Sequence, residues 1–196
     1  MSWSLGETAA LALKATRGAG LSWGLAEEAA GAVFWLHQRG LPGISALCGY
    51  LESRCVATTD DDAACPLVLG TSLSDGTHAV PEQAGERIDL GTVSAPLLLL
   101  PFVATIPPGT CWLIATGGDD TATDKWHSRW LRDSAPCQLR HSTAAQIAHT
   151  RAGQTRLPDQ FACCVDRLTV FAHRTYAPAT SQSRLAGAGA GLTDND

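Results

Sequence analysis

From Leu5 to Cys55 the apolar residues recur every three or four positions, and beyond Pro66 they contract into short runs broken by Gly, Pro, Ser and Asp. The first pattern predicts helices and the second strands. Ser4-Leu5-Gly6-Glu7 has capping-box spacing, so a helix is expected to start there and to run to about Arg17, with Gly18 supplying a left-handed residue to close it. Ser22 can cap a second helix that ends at Arg39 and Gly40. Leu25, Ala29, Ala32 and Leu36 form its buried stripe, Glu27 and Glu28 sit toward its positive end, and apolar residues on both faces make it central. A third helix is predicted from Pro42 to about Cys55 through Ile44, Leu47, Cys48 and Leu51.

"PLVLG", "RIDLG" and "APLLLLPFVATI" read as strand-like. Pro107-Pro108-Gly109 reads as a turn that makes an antiparallel pair of "LLLLPFVATI" and "TCWLIATG", with helices as cover for its apolar faces. A last helix follows Asp159, with Phe161, Val165, Leu168 and Ala172 on one face, and stops before Pro178. The expectation is an α+β fold: a single domain over residues 1–196, with N-terminal helices and a C-terminal helix packed on a mainly antiparallel sheet.

Two blocks are distinctive: "SWSLGETAALALKATRGAGLSWGLAEEAA" near the start and "AHRTYAPATSQSRLAGAGAGLTDND" at the end. On them the chain resembles a bacterial family known as a domain of unknown function. The resemblance extends over essentially the whole length, is weakest through residues 56 to 95, and implies a full-length member. It brings no assigned reaction and no catalytic residues.

Composition narrows the function classes. A net charge of -5 gives no electrostatic reason to approach nucleic acid or an anionic membrane. The N-terminus lacks the basic start and apolar core of a secretory signal, and the longest apolar run is cut by Pro96, Pro101 and Pro107. The seven cysteines are scattered among apolar neighbours, which suits small hydrophobes in a reducing compartment. We therefore expect a cytoplasmic protein without nucleic-acid or membrane partners.

Candidate chemistry lies in the two recognisable ends. Gly187, Gly189 and Gly191 alternate with alanine, so an extended backbone there exposes bare Cα atoms to a close approach. A dinucleotide fingerprint or a P-loop would need a following helix, and only five residues remain after Gly191. Arg184 beside those amides makes a clamp for a carboxylate or phosphate, flanked by Asp194 and Asn195. Asp194 and Asp196 are weak evidence for a hard cation, so no metal site is assigned and the cofactor is left unknown.

In "RGAGLSWGLAEE", Arg17 and Trp23 supply a cation and a flat wall, although capping and dipole chemistry account for the same residues without a ligand. Glu28, at the edge of the buried stripe beside Trp35, and His173, at the end of the last helix, are the acid–base candidates. "DKWHSRWLRD" offers an aromatic and cationic rim through Trp126, His127, Arg129 and Trp130. No standard zinc-hydrolase, thiol-redox or serine-esterase motif is present. Two readings follow: a small polar pocket that binds an anionic metabolite, with or without metabolic catalysis, or a non-catalytic oligomeric binding module whose glycines pack against a second copy.

Overall fold

The computed structural model describes residues 3–56, 63–106, 111–115, 134–141, 153 and 155–176. Helix α1 (Leu5–Gly18) starts as the capping box requires. Ser4 Oγ accepts from the Glu7 amide at 3.2 Å, and the Glu7 carboxylate accepts from the Ser4 amide at 2.8 Å. Its end corrects the expectation. Gly20, at φ +91°, is the left-handed residue, while Gly18 lets α1 lie directly on another backbone. Helix α2 (Trp23–Gln38) is capped by Ser22 and buries Ala26, Ala29, Ala32, Val33, Leu36 and His37. Leu25 is only half-buried, and Glu27 and Glu28 fall in the second turn. Helix α3 (Gly43–Val56) buries Ile44, Leu47, Cys48 and Leu51 as expected.

Two of the expected strands are helical. "PLVLG" opens α4 (Pro66–Ser74), with Pro66 in the first turn, and "APLLLLPFV" forms a 3-10 turn (Pro96–Leu99) followed by α5 (Leu100–Val103). Proline decides both cases: it has no N–H for a sheet ladder, whereas its fixed φ suits a first helical turn. Leu97 to Leu100 are buried all round, a pattern that a short apolar run shares with a strand. Gly70 of α4 meets the Phe102 ring, where an added Cβ would lie 2.3 Å from it.

The sheet has three antiparallel strands in the order β1 (Arg87–Ser94), β3 (Ser134–His141), β2 (Cys111–Ala115). β2 therefore pairs with β3, Leu113 opposite Leu139, and not with the leucine run before it. The expected turn at Pro107 to Gly109 lies outside the described residues. β1 carries a register shift between Asp89 and Gly91, with Gly91 at φ +70° and its amide donated to Asp89 Oδ1 at 2.9 Å. Val93, Cys137 and Leu139 join the buried core that the helices share.

The last described helix, α6 (Ala162–His173), follows a 3-10 turn at Asp159–Phe161 and buries Val165, Leu168 and Ala172. α6 and α1 run in the same direction. At one end the Leu157 amide donates to Trp3 O at 2.8 Å and the Leu5 amide to Thr155 O at 3.2 Å; at the other, Gly18 meets the Phe171 carbonyl. The mixed α+β class is as expected, and α6 fixes both candidate sites.

Candidate functional site

At its C-terminal end, α6 meets the end of α1. An added Cβ on Gly18 would lie 1.8 Å from Phe171 O, so glycine is what allows the two backbones to touch. The contact gathers cations and rings. The Arg17 guanidinium lies 4.7 Å over the Trp23 ring and donates to Leu21 O. Lys14 Nζ is 5.9 Å from the Tyr176 ring, His173 and Tyr176 pack at 5.6 Å, and Arg174 lies 4.6 Å over Phe171. Trp23 and Tyr176 remain 62% and 58% exposed, and Lys14, His173 and Arg174 are also exposed.

Arg17, Trp23 and His173, singled out from sequence, thus stand at one end of the helical layer. Glu28 is exposed on α2, and the Trp35 ring expected beside it is covered by Arg39 at 3.8 Å. Arg184, Gly187, Gly189, Gly191, Asp194 and Asn195 lie outside the described residues, as do Trp126, His127, Arg129 and Trp130. The chain leaves the described residues after Tyr176, at this same end.

The opposite end of α6 carries groups that sequence reasoning missed. His37, buried in α2, accepts a hydrogen bond at Nε2 from the Ile44 amide at 2.9 Å. A side chain of α2 thereby caps the first turn of α3. Its ring packs edge-on to Phe161 at 5.2 Å. Burial pulls the imidazole down to about 4, so the ring is neutral, as its acceptor role requires.

Beside it, Cys164 in the first turn of α6 meets Ser45 on the face of α3 that also carries Cys48. Ser45 Oγ lies 3.4 Å from Cys164 Sγ, Cys48 Sγ lies 3.7 Å from Glu52 Oε1, and Glu52 is paired with Arg167. The neighbouring Cys48, with help from Ser45, Cys163 and Arg167, holds the Cys164 thiol below its ordinary range. The same neighbour relation, with burial and the Glu52 carboxylate that accepts from Cys48, pushes the Cys48 thiol up. One signal was available in sequence: Ser45, Cys48 and Glu52 share a face at spacings of three and four, as do Cys164 and Arg167.

Together these elements define a mixed α+β protein whose helical layer holds an open cationic end and a closed thiol end. Residues 3–79 match a family model described as Protein of unknown function (DUF3726), a stretch that takes in α1 to α4. This bears out the resemblance to a domain-of-unknown-function family over the N-terminal helices. No curated protein and no solved structure matches the chain. Among the described residues no helix is long and apolar enough to cross a membrane, and no group of three or more His, Cys, Asp or Glu is placed to hold a metal ion.

Proposed function

We propose that the end of the layer formed by α1 and α6 binds a small anionic metabolite in the cytoplasm. One observation carries the reading: the Gly18–Phe171 contact sets the end of α1 against the end of α6, where Lys14 meets the Tyr176 ring beside His173 and Arg17 lies over Trp23, so cations from both ends of the sequence meet at one end of the helical layer. A carboxylate or phosphate is the ligand such a set recognises, through the planar guanidinium and against an aromatic wall. In this reading Arg17 and Arg184 hold the anion, Trp23 lines the wall, and the amides around Gly187, Gly189 and Gly191 supply further donors, with Asp194 and Asn195 setting the polar rim. His173 is preferred over Glu28 as the group that would move a proton, because it stands on this face.

The test is a thermal-shift screen of small carboxylates and phosphates on wild type, Arg17→Ala and Arg184→Ala. A ligand that raises the wild-type midpoint and fails with both variants supports the site. Equal shifts in all three proteins discard it. The exposed Trp23, Val170 and Tyr176 favour one rival, a self-associating binding module in which this face is covered by a second copy. Concentration-dependent sedimentation abolished by Trp23→Ser would select that rival.

A further inference from the structure

We propose that Cys164 and Cys48 form a peroxide-reactive dithiol, with Cys164 as the attacking thiolate, Cys48 as the resolving thiol and Glu52 as the proton acceptor for Cys48. The argument starts from placement. Cys164 and Cys48 are 116 positions apart in sequence, yet α3 and α6 bring them to one site: Ser45, one turn before Cys48, meets Cys164, and Glu52, one turn after Cys48, pairs with Arg167; neither cysteine is paired in a disulfide. Around them stand a hydroxyl, a carboxylate and a guanidinium: Ser45 at 3.4 Å from Cys164, Glu52 at 3.7 Å from Cys48, and Arg167 on Glu52. Inert buried cysteines sit among apolar side chains, whereas this pair has a donor for a thiolate on one sulfur and an acceptor for a proton on the other.

Exposure limits the oxidant. Cys48 is 1% and Cys164 7% exposed, so Cys164 is the sulfur that a reagent reaches first, and the reagent must be small. A hydroperoxide meets that condition and supplies both oxidising equivalents. The Cys164 thiolate attacks the distal peroxide oxygen; the S–O bond forms, the O–O bond breaks, and the alkoxide or hydroxide leaves and is protonated by water. Cys48 then passes its proton to Glu52 and attacks the sulfenic sulfur. The S–S bond forms, the S–O bond breaks, and the departing hydroxide takes the proton as water. The sum is two thiols and one peroxide giving a disulfide, an alcohol or water, and one further water.

The decisive experiment needs no variant. The reduced full-length chain is treated with equimolar hydrogen peroxide, and its cysteines are mapped by mass spectrometry without reduction. A Cys48–Cys164 cross-linked peptide is the expected product. Oxidation of the exposed Cys55 and Cys163 that leaves Cys48 and Cys164 reduced would overturn the proposal, as would a Cys163–Cys164 linkage. A second measurement assigns the roles: Cys48→Ser, with its fold checked by circular dichroism, is treated with peroxide while folded and unfolded into dimedone, which is expected to trap Cys164 as a sulfenic acid at about tenfold the level at Cys163. Equal trapping at the two positions rejects Cys164 as the attacking group.

Discussion

The two ends of α6 are built on opposite principles. Cys164 and His173 are nine positions apart, about 14 Å along the helix axis. At the first, polar groups meet one another: Cys164 and Ser45, Cys48 and Glu52, Glu52 and Arg167, His37 and the Ile44 amide. At the second, Lys14, His173 and Arg174 are exposed and their side chains lie by aromatic rings. In the two proposals above, the closed set serves a small reagent and the open set an anion from solution, so that one helix would separate reactivity from recognition.

The contact that creates the open end is the first thing to break. In Gly18→Ala the new Cβ would stand 1.8 Å from a backbone carbonyl, which no side-chain rotation relieves, so α1 must move off α6. We expect a loss of about 3 kcal/mol or more in denaturant unfolding, at the upper end of overpacking effects. Anion-dependent thermal shifts should vanish with it. An unchanged midpoint would mean that the two backbones do not touch in solution.

Acid should unlock the closed end by about as much. The His37 ring is held at about 4 in the folded chain against 6.5 when unfolded, so between those values the unfolded chain binds the extra proton. Stability is therefore full above pH 6.5 and falls as the pH drops toward 4, by about 3 kcal/mol in all at roughly 1.4 kcal/mol per unit. A protonated Nε2 could no longer accept from Ile44, and two donors would face each other. Urea midpoints compared between pH 7 and pH 4.5 check the direction, and His37→Gln should flatten the dependence.

Arg167→Gln sharpens the comparison from the side of reactivity. The Arg167–Glu52 pair is partly open to solvent, so its loss should cost about 1 kcal/mol or less. The guanidinium also favours the Cys164 thiolate, so alkylation of Cys164 by iodoacetamide, followed by peptide mass spectrometry, should slow severalfold. Slower alkylation with unchanged stability marks a tuned thiol. Unchanged alkylation would assign the pair a surface role alone.

How far each end was legible in the sequence follows from how local its signals are. Ser4, Glu7, Ser22 and Gly40 set helix boundaries through bonds spanning a few residues, and α1, α2 and α3 fell where those signals put them. Arg17, Trp23 and His173 could be singled out because polar and aromatic groups at helix ends stand out in a sequence. The thiol end could not be, since Cys48 and Cys164 look like core residues until the packing of α3 on α6 makes them neighbours. The leucine run misled for a related reason: Leu97 to Leu100 are apolar on every face, and only the proline positions told helix from strand. The role of Gly18 was likewise invisible, because close approach needs a partner 153 positions away.

Thr16 offers the smallest test and bears on the open end directly. It sits one residue before Arg17, fully buried, with its hydroxyl lacking a hydrogen-bond partner among the described residues. An unanswered hydroxyl in an apolar setting is a cost, and valine keeps the shape while removing it. Thr16→Val should therefore stabilise the fold by about 1 kcal/mol or less in urea unfolding. A destabilisation instead would show that the hydroxyl is answered, by an enclosed water or by a group from residues 177–196. The end behind Arg17 would then contain a matched polar site of its own, and the contrast between the two ends of α6 would narrow to exposure alone.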